Sequence, residues 1–312
     1  MRHVPIIDLA PFLAGSAADR IRVAASVGEA CEQIGFLTLV GHGLSNELTQ
    51  TMVHTAHQFF DLPDVEKRKL PMTAAGAGYS PLKGETLSAS LGQTAPADLK
   101  ESLNIGPDFA QNPWPDIPMG LKPAAIAYFE AMATLAASLM RLFACALDLP
   151  EHFFDDKIDR HRSFLRLINY PNQDSDPLPG QLRAGEHTDY GTLTILRSEN
   201  APGGLEVRSR DGEWLAVESA PDSFVVNLGD LMMYWTNERW ISTLHRVVNP
   251  PRDQRLGSRR QSLAFFHNPN PEALITCLDS CQGPGNPAKY PPITAGEHLA
   301  LKVNKAYRKG AL

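Results

Sequence analysis

Arg259-Arg-Gln-Ser-Leu-Ala-Phe-Phe266 reads as a β-strand with two unlike faces. Alternation puts Arg260, Ser262, Ala264 and Phe266 on one side, and Arg259, Gln261, Leu263 and Phe265 on the other. The first side offers a guanidinium and a hydroxyl above an apolar floor. The second carries Leu263 and Phe265, which are too apolar to face water, so the outer side of this sheet needs a cover. Working outward, residues 163 to 267 contain short strand patterns at 164–170, 193–196, 205–207, 214–217, 224–227, 231–234, 243–248 and 261–267. Turn signals such as Pro202-Gly-Gly204, Asp211-Gly212 and Gly229-Asp230 separate them. About eight strands at this spacing suit a double-sheet jelly roll.

The cover comes from the first half of the chain. Helical periodicity runs over residues 18–34 and 46–60, and Pro123 opens a further helix to about residue 147. The apolar run at 131–140 is short and flanked by charge, and it reads as part of a buried amphipathic helix. The expected fold is mainly β with flanking helices: a helix-rich region over residues 1–155 buttresses a jelly-roll region over 156–312, the two forming one cooperative unit.

The chemistry is concentrated in the second region. His187-Thr-Asp189 brings an imidazole and a carboxylate together on or beside a strand, where residues two apart share a face. His245, in Leu244-His-Arg246, can supply a second imidazole from another strand. Two histidines and one carboxylate are the ligand set of the facial triad, which holds Fe(II) and leaves positions open for reactants. A His-x-Asp pair alone arises by chance in many proteins, and a lone distant histidine is more often structural. The Arg260/Ser262 face adds the missing element. A planar guanidinium can bind a carboxylate through two parallel hydrogen bonds, and Ser262 can donate another. Arg252, Arg255 and Arg259 are assigned instead to a basic surface hairpin.

The order His187-Thr-Asp-Tyr-Gly-Thr-Leu-Thr-Ile-Leu196, Leu244-His-Arg-Val-Val-Asn-Pro250, Arg260-x-Ser262 closely resembles the isopenicillin N synthase-like family of Fe(II)- and 2-oxoglutarate-dependent oxygenases. The likeness extends through Val4-Pro-Ile-Ile-Asp-Leu9, Gly35-Phe-Leu-Thr-Leu-Val-Gly-His-Gly43, Gly78-Tyr-Ser-Pro81, Leu99-Lys-Glu-Ser102 and Tyr290-Pro-Pro-Ile-Thr-Ala-Gly-Glu-His298. It implies a double-stranded β-helix core, Fe(II) on His187, Asp189 and His245, and 2-oxoglutarate chelating the metal with its far carboxylate on Arg260 and Ser262. O2 would take the remaining position. Oxidative decarboxylation to succinate and CO2 would then accompany hydroxylation, desaturation or ring closure of a small organic substrate. Tyr170, before Pro171, matches a position where family members place a co-substrate contact; a half-buried strand-end tyrosine is an equal alternative. Asn169 stands two residues before Pro171 rather than three, so the asparagine contact of some relatives is not carried over.

Three other readings stay open. The site could oxidise a substrate without 2-oxoglutarate, Arg260 and Ser262 then binding the substrate's own carboxylate. It could be a non-catalytic jelly-roll ligand-binding module. A zinc hydrolase could use the same ligands but needs a general base beside its water, and none is evident. Residues 76–91 are rich in small residues and suit either a mobile loop over the site, with Tyr79 and Lys83 as contacts, or a plain surface loop. Tyr190, Phe266 and Trp235 could wall the substrate or belong to the core. His54 and His57 read as helix residues outside the site, and His42 as a turn residue.

Composition agrees with a soluble enzyme. Lys+Arg 29 against Asp+Glu 35 gives a net charge of −6, which argues against nucleic acid as the main partner. No membrane or protein partner is inferred. The four cysteines form no zinc spacing and suit reduced thiols. With no secretory signal visible after Met1, the expected location is cytoplasmic.

Overall fold

A computed structural model describes residues 3–308. Fourteen strands are present among them: β1 (Ile6–Asp8), β2 (Phe36–Val40), β3 (Gly78–Ser80), β4 (Glu101–Ile105), β5 (Phe164–Tyr170), β6 (Ala184–His187), β7 (Leu193–Ser198), β8 (Gly204–Arg208), β9 (Trp214–Ala216), β10 (Phe224–Leu228), β11 (His245–Val248), β12 (Arg260–His267), β13 (Leu274–Ile275) and β14 (Ile293–Thr294). An eight-stranded sheet runs β1-β2-β10-β7-β12-β5-β4-β3 and faces a four-stranded sheet β6-β11-β8-β9, the jelly-roll core expected from the strand pattern. Strands β13 and β14 form a separate pair. Four strands of the first 155 residues belong to the large sheet, so its hydrogen-bond ladder crosses the boundary drawn from periodicity.

Five helices position the sheets: α1 (Ala17–Gln33), α2 (Asn46–Phe60), α3 (Leu121–Ala146), α4 (Asp230–Trp235) and α5 (Ala295–Arg308). Helix α1 begins at a reciprocal capping box between Ser16 and Asp19, and Ser45 caps α2. Helix α3 starts two residues before Pro123, whose missing N–H costs nothing in a first turn. It is long and apolar enough to cross a membrane by length and composition, and half of that apolar window is buried inside the protein. Its Phe129 ring meets Phe265 of β12 edge-on at 5.1 Å.

The two faces of β12 divide as their alternation requires. Leu263 and Phe265 join the large cluster under the helices, with Leu165, Leu167, Ile195 and Val226. Ala264 and Phe266 join a second cluster between the sheets, with Ile168, Tyr170, Val207 and Val225.

Two expectations about elements are corrected. Residues 231–234 are not a strand; they lie in α4, where Leu231, Met232 and Trp235 are buried. A four-residue apolar run does not distinguish a strand from a buried helical turn, and leucine and methionine favour the helix. The strand expected on or beside His187 is β6, which is missing from the strand patterns because Ala-Gly-Glu-His carries little β-propensity; its pairing with β11 holds it.

His267, at the end of β12, is 1% exposed and bonds through Nδ1 to Thr192 Oγ1 at 2.7 Å. Burial, with the nearby His161 charge, pushes its pKa from 6.5 down to about 3. The unfolded chain therefore takes up a proton that the folded chain refuses, and stability is lost as pH falls below about 6.5. This group contributes roughly 1 kcal/mol per pH unit down to about pH 3. Urea unfolding at pH 7.5, 6.5 and 5.5 will show that slope flattened in His267→Gln, and an unchanged slope would count against the assignment.

Candidate active site

The triad assembles where the two sheets meet. His187 ends β6 and His245 opens β11, and antiparallel register places them directly opposite each other. Their ring centroids are 4.2 Å apart. Asp189 lies just past β6, so it is beside the strand rather than on it. The ligand-type atoms of the three residues cluster within 4.8 Å of one another.

Each side chain is held in a form that suits a metal. His187 Nδ1 lies 2.7 Å from Gly185 O, and His245 Nδ1 lies 3.0 Å from Thr243 O. Carbonyls only accept, so both Nδ1 atoms carry the proton and both Nε2 atoms keep a lone pair for a metal. Burial, followed by the His245 and Lys100 charges, drives the His187 pKa well below its usual value and keeps the ring neutral. Asp189 is 6% exposed. Its Oδ2 accepts from Thr194 Oγ1 at 2.5 Å and Asn227 Nδ2 at 2.6 Å, while Oδ1 lies 3.8 Å from His245 Nε2. One oxygen is anchored and the other is presented to the imidazoles. Thr194 and Asn227 were not singled out from the sequence. The available signal was a polar residue inside the apolar run Phe-Val-Val-Asn-Leu of β10.

Arg260 and Ser262 enter the same chamber from β12. Arg260 is 4% exposed, and its Nε donates to Ser198 Oγ at 2.7 Å. Ser198 Oγ is in turn 2.7 Å from Ser262 Oγ. That Nε contact is the only side-chain hydrogen bond of Arg260 among the described residues, leaving the outer guanidinium nitrogens for a ligand. Tyr170 pairs with Arg260 across β5 and β12, is 3% exposed, and has its hydroxyl pKa raised to about 12 by burial. A second buried guanidinium, Arg183, stacks 6.0 Å over the Tyr170 ring and was not anticipated. It is fixed by the carbonyls of Pro171, Pro202 and Ser258 and by the Ser258 hydroxyl. Burial and the Arg260 charge lower its pKa to about 10. Two nearby buried cations and two serines make this end of the chamber suited to an anion.

A buried polar network lies near the triad. Arg166 of β5 pairs with Ala264 and so points between the sheets; its Nε and Nη2 bond Ser102 Oγ at 3.1 and 2.9 Å, and Nη2 also pairs with Glu85. Lys100, 4% exposed, lies 3.4 Å from Glu85 Oε2 and 3.6 Å from Asp98 Oδ2. Burial opposes ionisation of Glu85, but the Arg166 and Lys100 charges outweigh it and hold its pKa at about 2. Tyr190, half-buried, interacts with Ser90, and Phe266 packs between the sheets.

Other candidate contacts fall elsewhere. Tyr79 is a core residue on the helix side of the large sheet, bonded to Glu101, and is not a loop contact. Trp235 is 1% exposed and packs on Phe154, in the core rather than the pocket wall. Lys83 is exposed. Within residues 76–91 the chain forms β3 and a 3-10 turn at Leu87–Leu91 instead of an open loop. Arg252 and Arg255 pair with Asp176 and Arg259 with Asp61, outside the pocket. His57 pairs with Glu199, and His42 bonds Asp222 O, neither at the triad.

Comparison with known proteins agrees with this geometry. Residues 4–119 match the family described as non-haem dioxygenase in morphine synthesis N-terminal, and residues 162–269 match the 2OG-Fe(II) oxygenase superfamily. A 2-oxoglutarate-Fe(II) type oxidoreductase of Emericella nidulans is 32% identical, covering 97% of this chain and 90% of the relative. The validamycin A dioxygenase of Streptomyces hygroscopicus subsp. limoneus is also 32% identical, covering 96% and 85%. The crystal structure of a full-length Neurospora crassa protein in complex with alpha-KG and thymine superposes with a TM-score of 0.88 at 32% identity, covering 97% of each chain. The chain thus belongs to the 2OG-Fe(II) oxygenase superfamily and is a non-haem iron oxygenase that oxidises a small organic substrate while 2-oxoglutarate is decarboxylated to succinate.

Proposed function

We propose that His187, Asp189 and His245 bind Fe(II), that Arg260 and Ser262 bind the far carboxylate of 2-oxoglutarate, with Tyr170 walling that seat, and that the primary substrate is a small, polar molecule of zero net charge. The metal assignment rests above all on Asp189, whose carboxylate has one oxygen committed to Thr194 and Asn227 and the other turned toward His245. Bound Fe(II) supplies the redox chemistry that couples decarboxylation of 2-oxoglutarate by O2 to oxidation of the substrate. The protein's own groups bind, orient and shield the reactants. Anaerobic addition of 2-oxoglutarate to the Fe(II)-loaded protein tests the reading: a visible charge-transfer band supports it, and bound iron without a band overturns it.

The substrate reading follows from charge. Arg166 and Lys100 are balanced by Glu85 and Asp98, all of them largely buried beside His187. An ion added there would lack a partner, and a buried unpaired charge is costly. A neutral molecule with both donors and acceptors can exchange hydrogen bonds with Arg166 and Glu85 while its faces lie against Tyr190 and Phe266. The bound thymine of the Neurospora neighbour is a molecule of this class. In a succinate-release screen, neutral lactams, imides and amides are expected to stimulate 2-oxoglutarate turnover above its uncoupled rate. Stimulation confined to organic acids or amines would reverse the assignment.

The four free thiols support a reducing, cytoplasmic setting. The shared sheet supports a single cooperative unit.

A further inference from the structure

The imidazole of His187 is oriented through a relay of contacts that ends on a residue with no place in the ligand set. His187 Nδ1 donates to the carbonyl of Gly185, and the amide N–H of the same Gly185 donates to Asp98 Oδ1 at 3.0 Å. Asp98 is 2% exposed. Its other oxygen, Oδ2, accepts from the amide of Leu87 at 3.2 Å, the first residue of the 3-10 turn. A Cβ on Gly185 would stand 3.3 Å from Asp98 Oδ1 and from Ser88 Cβ, so turn, carboxylate and strand are in tight contact. One carboxylate therefore joins β6 to the turn. Farther along the turn, Ser90 interacts with Tyr190, the chain neighbour of Asp189.

We infer that Asp98 is a positioning residue that couples the packing of the Leu87–Leu91 turn to the orientation of His187. The inference rests on His187 being a metal ligand. Its physical basis is the pivot at Gly185. The N–H held by Asp98 and the C=O held by His187 belong to adjacent peptide planes hinged at one glycine Cα, the least restrained hinge available. Between the paired positions Ala184 and His187 the β6–β11 register is irregular, so without Asp98 the Gly185 peptide loses the contact that fixes its tilt, and the ring that donates to its carbonyl shifts with it. A substrate pressing on the turn would act on the same carboxylate and thereby tune the metal ligand. Outer partners of ligating histidines typically control metal affinity or activity by about 10- to 100-fold.

The test measures Fe(II) affinity anaerobically by chelator competition, together with the visible band formed on adding 2-oxoglutarate and the melting of the metal-free protein. Asp98→Ala is expected to weaken Fe(II) binding about 10-fold and to shift or broaden the band. Asp98→Asn keeps one accepting oxygen for two N–H donors and should fall between alanine and wild type; this isosteric variant decides the matter if alanine does not fold. Lower melting temperatures for the Asp98 variants with wild-type Fe(II) affinity and an unmoved band would make the residue merely structural and overturn the inference. His187→Ala run alongside separates the two failures: if it too binds iron normally, the metal assignment has failed rather than the relay.

Discussion

Asp189→Ala is expected to weaken Fe(II) binding by more than the roughly 100-fold that marks the upper range for outer-shell changes, and to abolish iron-dependent succinate release. Asp189 is the only anion of the triad, and Oδ1 is the oxygen turned toward His245 Nε2. Its removal also strands two buried donors. Thr194 Oγ1 and Asn227 Nδ2 both point at Asp189 Oδ2, and each buried donor left unsatisfied costs about 1–3 kcal/mol. Alanine thus removes a ligand and loosens the strands β7 and β10 that frame it. Asn227→Ala separates the two effects, since it keeps the ligand and removes one anchor; it should weaken Fe(II) within the roughly 10- to 100-fold range. Anaerobic Fe(II) titration and succinate release check both variants. Wild-type iron affinity or turnover in Asp189→Ala would defeat the metal assignment.

The parts of this site that could be read from sequence are those whose chemistry and spacing are local. His187 and Asp189 stand two apart in sequence and so stay close although only His187 is on the strand, while alternation puts Arg260 and Ser262 on one strand face. The burial of Leu263 and Phe265 under α3 follows from the same alternation. What escaped depends on register between distant strands. Thr194 is five residues from Asp189 in sequence but reaches it only because β7 turns Leu193 and Ile195 toward the helices and the alternate residues between the sheets. Asn227 arrives from β10, which pairs with β7 at Asn227 and Thr194, and this pairing puts both donors on one carboxylate. Arg183 precedes β6, a strand too poor in β-formers to be recognised. The misassigned strand at 231–234 has a comparable cause: its apolar residues are core residues of a short helix, and the amide of Asp230 at its start is held by the carbonyl of Asp189 at 2.8 Å. That helix is part of the framework around the metal end, which a local pattern could not reveal.

Arg260→Leu is expected to raise the KM for 2-oxoglutarate by about 100-fold, corresponding to about 3 kcal/mol, the middle of the range for losing one partner of a buried charged hydrogen bond. The rate at saturating co-substrate should change much less, because the far carboxylate is a binding contact that ground and transition states share. The metal-free, ligand-free protein should behave in the opposite sense. Arg260 and Arg183 are both buried, and the Arg260 charge helps to lower the Arg183 pKa to about 10. The one carboxylate whose charge favours Arg260, Glu199, already bonds His57 and the amide of Gln261. Space is also set aside for the guanidinium: a Cβ on Gly204 would lie 2.9 Å from Arg260 Nη1. Without its anion the seat therefore holds a desolvated cation against a like charge, and leucine removes that penalty. Urea unfolding of the apo protein should show Arg260→Leu at least as stable as wild type, while added 2-oxoglutarate stabilises wild type and leaves the variant almost unmoved. A variant that loses stability without losing affinity would mean that Arg260 supports the barrel rather than the co-substrate.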